Sequence, residues 1–237
     1  MSEIAHVGPD WDSRRGSGGA ARLGEPPVAP AGAKQRPLRV VVIGEFNSGK
    51  TSLVNALVGA SVLPASFTTH TAYPTVVRFA RRPSLSAEIA QRRRVRVGWD
   101  ELDGAPSCHI HRLHVGMPLD RLHTLRAVDT PGLDLADDVL AARTLRACRS
   151  ADAVIWCTPA MQAWKASEQQ AWLALPEAVR ARGILAVTFM DALRSPGDAG
   201  RLMARLNADA GPLFRKIAAT SREASIALLG DPEPCGG

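Results

Sequence analysis

Aromatic residues are scarce in this chain, at 5% of 237 residues with a single tyrosine. A core of ordinary size must therefore be aliphatic, and the 46% hydrophobic content is enough to build one. Cysteine is scarce too. Cys108, Cys148, Cys157 and Cys235 form no CxxC pair, and the N-terminus has no apolar signal core. Reduced thiols in a cytoplasmic protein are the expectation. No apolar run approaches the ~20 residues that span a bilayer. Acidic residues are outnumbered 23 to 29 by basic ones, giving a net charge of +6. That balance suits a polyanionic partner such as a nucleotide, a membrane surface or a nucleic acid. An arginine-rich composition gives the same value for no functional reason. No residue identifies a lipid, and no nucleic-acid partner is expected.

Residues 1–36 are rich in Gly, Pro, Ala and Arg and have few large apolar groups. They read as a disordered tail. Order is expected over residues 37–230, with a short tail at 231–237. The run at 40–43 reads as a buried parallel strand, and 50–58 as a helix stopped by Gly59. Further strands are expected at 73–80, 95–99, 125–128, 153–157, 184–189 and 214–218. Helices are expected at 138–149, 168–175 (with Trp172 packed inward), 200–208 and 222–229. This alternation implies an α/β fold, a mainly parallel sheet flanked by helices. The basic run at 91–96 reads as a solvated strand edge or as a phosphate or membrane contact. His109 and His111 share a strand face, but no further ligand pattern marks a metal site.

The segment GEFNSGKT at 44–51 matches G-x-x-x-x-G-K-[ST] and lies between a predicted strand and helix, the context that confirms a phosphate-binding P-loop. Gly44 and Gly49 let the backbone N–H groups of this loop, through Asn47, Ser48 and Ser52, converge on phosphate. The helix adds the positive end of its dipole. Lys50 is placed to reach the β- and γ-phosphates, and Thr51 to offer a hydroxyl to Mg2+. Downstream, DTPG at 129–132 ends a predicted strand. Asp129 there can hold Mg2+ through water, and Gly132 can bring an N–H close to the γ-phosphate.

The stretches GEFNSGKTSLVNALVG, TTHTAYPT and VDTPGLD together resemble the GTPase domain of bacterial dynamin-like proteins. That resemblance implies a GTPase-type P-loop fold over roughly residues 37–230 and a loop threonine that closes over Mg2+ and the γ-phosphate. Thr71 is the best match for it, with Thr69 as runner-up. It implies base reading by TFMD at 188–191 and by the ATS loop at 219–221. Thr188, Asp191 and Thr220 are thus candidate base contacts, and Asp191 can accept from guanine N1 and N2. Phe189 replaces the family's lysine. It either stacks on the purine or belongs to the core.

The resemblance further implies hydrolysis of GTP to GDP with Lys50 and Thr71 as catalytic residues. Phe46 and Leu133 stand where related GTPases carry a water-orienting Gln, so a slow intrinsic rate is expected. Asn47 either helps hold K+ or shapes the loop. The expected partners are GTP or GDP and a nucleotide-dependent homodimer, or a heterodimer with a larger dynamin-like protein. The family's helical stalk is not expected within these residues, so membrane remodelling is not carried over. A degenerate binding module with little turnover and a P-loop ATPase are the competing readings.

Overall fold

The computed structural model describes residues 36–64, 73–99, 102, 110–133 and 138–220. Among them, nine strands form one sheet in the order β4-β3-β5-β2-β6-β1-β7-β8-β9. The strands are β1 (Leu38–Gly44), β2 (Thr75–Phe79), β3 (Ser84–Ile89), β4 (Arg94–Arg96), β5 (Ile110–Met117), β6 (Leu125–Asp129), β7 (Ala153–Pro159), β8 (Gly183–Thr188) and β9 (Lys216–Ala219). Five helices accompany them: α1 (Lys50–Val58), α2 (Asp138–Arg149), α3 (Ala166–Leu173), α4 (Glu177–Arg180) and α5 (Pro196–Asp209). The pairings β6-β1-β7-β8-β9 are all parallel, as is β2 with β5. The sheet reverses where β2 meets β6, and β3 joins β5 and β4 antiparallel.

The central strands are buried on both faces, and they read as unbroken apolar runs for that reason. Val40, Val42 and Ala127 pack against Leu53, Val54 and Val58 of α1 on one side. Val41, Ile43 and Val128 pack against Ala147 and Cys148 of α2 on the other. Four of the few aromatics, Trp156, Trp164, Trp172 and Phe214, gather in one corner of that second layer. Trp156 and Trp172 meet edge to face at 5.9 Å, and Trp172 stacks on Phe214 at 4.4 Å. Gly183 has no side chain because a Cβ there would collide with the Trp172 ring.

Helix boundaries follow local chemistry. Gly59 closes α1 at φ 78°, its N–H bonded to Asn55 O at 2.9 Å. Asn55 then uses its side chain to hold the next turn, donating to Leu63 O and accepting from Leu63 N. Helix α5 begins four residues before the expected position 200. Ser195 caps it by accepting from Asp198 N, and Pro196 fills the first turn. Strand β3 was absent from the expectation. Its apolar residues Leu85, Ala87 and Ile89 alternate with Ser84, Ser86 and Glu88, but the run is only six residues long and mostly half-buried, one strand in from the sheet edge. The basic run forms the exposed edge strand β4, which corrects the expected strand at 95–99 to Arg94–Arg96. The final strand starts at Lys216, since Phe214 belongs to the aromatic corner. The expected helix at 222–229, all of the expected 1–36 tail but Arg36 (which pairs with Asp152), the tail at 231–237, and His109 lie outside the described residues. Among the described residues, no helix is long and apolar enough to cross a membrane, and no cluster of side chains could hold a metal through three His, Cys, Asp or Glu.

A buried carboxylate fixes α3 to the sheet. Glu168 is fully buried and accepts from Trp156 Nε1 at 3.1 Å, Thr158 Oγ1 at 2.9 Å and Lys165 N at 3.0 Å. Thr158 Oγ1 in turn accepts from Trp164 N. Glu168→Ala leaves these donors without an acceptor in a dry site. Each stranded group costs about 1–3 kcal/mol, so the variant is expected to lose about 3 kcal/mol or more. The midpoint of urea unfolding checks this, and a shift of a few tenths of a kcal/mol would contradict it.

Candidate functional site

The sheet delivers the ends of β1, β6, β7 and β8 to one edge, and the motif residues meet there. Strand β1 runs into the loop at 45–49, and α1 starts at Lys50. The loop is shaped by three left-handed residues: Gly44 at φ 145°, Asn47 at φ 56° and Gly49 at φ 83°. At Gly44 a Cβ would also strike the Cys157 carbonyl of the neighbouring strand. Asn is among the few side-chain-bearing residues that tolerate this conformation. The backbone at Asn47 therefore accounts for an asparagine there.

Side chains brace the loop from within. Ser48 Oγ donates to Glu45 O at 2.8 Å, and Lys50 Nζ donates to the same carbonyl at 2.6 Å. Lys50 is 7% exposed. Burial lowers its pKa, and the charge of Asp129 opposes that shift. Ser52 sits exposed on the first turn of α1. Below the loop, Thr51 Oγ1 donates to Asp129 Oδ2 at 2.6 Å in a buried pair. Asp129 Oδ1 is buried with no hydrogen-bond partner. Burial pushes the Asp129 carboxyl up to about 6, against the Thr51 hydrogen bond and the Lys50 charge. Thr130 ties its own strand end to β1 by donating to Val42 O at 2.8 Å.

Glu45, which no sequence motif marks, joins the loop to α3. Its carboxylate accepts from Lys165 Nζ at 2.8 Å and from Ser167 Oγ at 2.7 Å. Burial raises its pKa, but those two bonds outweigh the effect and hold it below the ordinary glutamate value. Its partners lie 120 and 122 residues away, so no local pattern could have revealed it. Leu133 N bonds to Gly44 O at 2.9 Å, which brings the DTPG turn against the loop. The Phe46 ring lies on Gly132, where a Cβ would overlap it, yet Phe46 is half exposed.

The expected base-reading residues lie at the ends of β8 and β9. Thr188, expected as a base contact, is 4% exposed, and its hydroxyl faces Ser48 O at 2.8 Å and Thr158 O at 3.2 Å. It therefore fastens the end of β8 to the phosphate loop. Phe189 follows in a left-handed conformation at φ 56°, and its ring covers Gly49, 3.2 Å from where a Cβ would stand. The ring is thus neither core filler nor free. It is a packing surface for the phosphate loop. Asp191 is exposed on the single turn that follows (Met190–Ala192). Thr220 closes the same edge, its N–H bonded to Val187 O and its carbonyl accepting from Met190 N. Thr71 and Thr69 lie outside the described residues.

A glycine-rich loop between a parallel strand and a helix, over a buried Thr–Asp pair, defines a P-loop nucleotide-binding fold of the GTPase type. The family described as the Dynamin family matches residues 40–187, and the chain belongs to the dynamin family. It is 29% identical over 139 residues to Dynamin-like protein 2 of Campylobacter jejuni, covering 56% of this chain and 23% of that protein. It is 33% identical over 126 residues to the isoniazid-induced protein IniC of Mycobacterium tuberculosis, covering 50% of this chain and 25% of that protein. The chain thus spans about a quarter of the length of these relatives. Among solved structures, it is similar to one from an oligomerised bacterial dynamin pair described as sensing and tethering membranes. The TM-score is 0.57 at 22% identity, over 78% of this chain and 31% of that one. The GTPase Era of Aquifex aeolicus bound to GDP.AlF4- shares the fold at TM-score 0.50 and 14% identity, over 86% of this chain and 60% of that one.

Asp129 makes apo stability depend on pH. Its folded pKa of about 6 exceeds the ordinary 3.8, so between these values the native state holds a proton that the unfolded state has lost. The stabilisation is complete below pH 4 and disappears as pH rises through 6. Asp129→Asn is expected to remove that dependence, flattening a difference on the order of 2–3 kcal/mol. Unfolding of both proteins across pH 4–7, without nucleotide, gives the comparison. Parallel curves would refute the assignment.

Proposed function

We propose that this domain binds GTP with Mg2+ and hydrolyses it to GDP and phosphate. One observation carries the reading: the buried Thr51–Asp129 pair lies under the phosphate loop beside the buried Lys50. The donor set fits Mg2+, because a hydroxyl and a carboxylate with an unpartnered buried oxygen are the hard ligands that this ion takes. Thr51 would bind it directly and Asp129 through water. When bound, Mg2+ offsets the charge on the β- and γ-phosphates.

The remaining roles belong to the chain. Loop N–H groups from Asn47 to Ser52 cradle the phosphates, and Lys50 exchanges its bond to the Glu45 carbonyl for phosphate oxygen. Gly132 offers its N–H to the γ-phosphate. Thr71 is proposed to close over the same group. Thr75 pairs with Asp129 in the sheet, so the strand that follows Thr71 in sequence begins at the metal-binding aspartate. Water attacks the γ-phosphorus in line, the bond to the β-phosphate oxygen breaks, and that oxygen leaves on GDP. Phe46 and Leu133 supply no polar group to orient that water, which supports slow turnover. The intact Lys50, Thr51 and Asp129 favour hydrolysis over a binding module without turnover. Phe46 and Met161 are half or more exposed beside this edge, which supports self-pairing of two domains across their nucleotides.

Lys50→Ala removes a charge-assisted phosphate contact of on the order of 1.5–3 kcal/mol, so triphosphate affinity should fall at least tenfold. The fold is expected to survive, since a desolvated cation is removed. Calorimetric titration with GTP, and sedimentation with GDP and tetrafluoroaluminate, should both show the loss. Unchanged affinity in a folded variant would sink the reading.

Guanine preference is assigned to Asp191. Asp191→Asn is expected to weaken GTP and favour xanthosine triphosphate, whose edge carries an acceptor where guanine has a donor. Competition between the two nucleotides on both proteins decides it, and an unaltered preference would place base reading elsewhere.

A further inference from the structure

The sheet gathers a second charge cluster away from the phosphate loop. Arg39 of β1, Arg126 of β6, Arg78 of β2, Arg112 of β5 and Arg94 of β4 surround a cavity of about 170 Å3, with Val76 and His114 completing its wall. Sheet register explains the convergence. Arg39 stands directly opposite Arg126, Val76 opposite His114, and Glu88 of β3 opposite both Arg112 and Arg94. Strand alternation puts all of these on one face, the one that packs Val41, Val76 and Val128 further along.

A purely structural role does not account for this arrangement. Like charges placed opposite each other across strands are destabilising. Burial, and then Arg112 and Arg126, press the Arg39 pKa below its ordinary value. Burial, Arg94 and Arg126 do the same to Arg78. The Nε atoms of Arg39, Arg78, Arg112 and Arg126, with His114 Nδ1, are buried and have no hydrogen-bond partner. Among the described residues none of the five guanidiniums is in an ion pair. Two carboxylates offset part of this charge from the rim: Glu88, 2.8 Å from His114 Nε2, feels Arg112 and Arg94, and Asp152, paired with Arg36 at 2.6 Å, accepts from Arg39 N, which leaves five guanidiniums against two carboxylates.

Guanidinium forks match the oxygen geometry of phosphate and bind it in pairs. At ~30 Å3 per water, the cavity holds on the order of five waters, or one phosphate group with some of them. It is separate from the nucleotide edge. Arg39 and Arg126 lie near the starts of β1 and β6, whereas the phosphate loop and Asp129 lie at their ends, ~16 Å along β1 at ~3.3 Å per residue. We propose that this arginine cavity binds a phosphate-bearing anion, from a soluble compound or a lipid headgroup, independently of the nucleotide.

The test uses the Lys50→Ala protein with excess GDP, so that the phosphate loop contributes little. Sodium pyrophosphate is expected to raise its melting temperature well beyond sodium chloride at matched ionic strength. Adding Arg39→Gln and Arg126→Gln should weaken the apparent pyrophosphate affinity at least tenfold, while stability without anion is maintained or raised. Arg78→Gln serves as a second variant should the double substitution not fold. Co-sedimentation with phosphatidylcholine vesicles, with and without phosphatidic acid, separates the sources. Phosphatidic-acid-dependent binding lost in the arginine variant assigns the lipid headgroup. A pyrophosphate shift without vesicle binding assigns a soluble phosphate compound. An equal pyrophosphate response in wild-type and substituted cavities, or one reproduced by sodium chloride, overturns the proposal.

Discussion

Two opposite charges are kept out of water at one edge of the sheet without being bonded to each other. Lys50 turns to the Glu45 carbonyl and Asp129 to the Thr51 hydroxyl. Each is desolvated at a cost that their mutual attraction only partly offsets, as their shifted pKa values show. Under the proposed function, a phosphate group and a divalent cation would supply what each lacks. Much of the surrounding polar structure holds these two groups in register. Thr130 fastens β6 to β1, Thr188 fastens β8 to the loop, and Glu45 fastens the loop to α3. The ion pair between Lys165 and Glu45 is partly exposed and contributes little to stability by itself. Its role is positional.

Local signals were legible in the sequence. Both ends of α1 and of α2 agree with expectation, because Gly49, Gly59 and the apolar spacing specify them within a few residues. The loop at 44–51 was legible for the same reason: its glycines answer to a backbone conformation that no neighbour can change. Strand β3 was not legible. Its position beside β5 comes from pairing with distant residues, Ser84 with Gly116 and Ile89 with Ile110, and its alternation of Leu85, Ala87 and Ile89 with polar residues is only six residues long. Glu45 and Glu168 were hidden likewise. A buried carboxylate such as Glu168, or a half-buried one such as Glu45, reads in sequence like any exposed one, and the fold brings its distant donors together.

The segment after β8 shows how a residue whose role the sequence left open is given one by the fold. Phe189 stands where a lysine is usual in the family that the sequence resembles, and sequence left open whether its ring met the purine or the core. Its ring covers Gly49 and so packs against the phosphate loop. The left-handed backbone at Phe189 is strained for a bulky residue, and the bond between Thr220 O and Met190 N helps hold the chain there.

The aromatic corner has a spectroscopic consequence. Three of the five tryptophans, Trp156, Trp164 and Trp172, are packed together within about 6 Å of a neighbouring indole. Trp164 immediately precedes Lys165, whose ammonium holds Glu45 of the phosphate loop. Any rearrangement of that loop pulls on the backbone of an indole buried among others, where emission and energy transfer are sensitive to small changes in packing. The domain therefore carries an intrinsic optical reporter beside its phosphate loop, and occupancy of that loop is expected to alter tryptophan emission without a label.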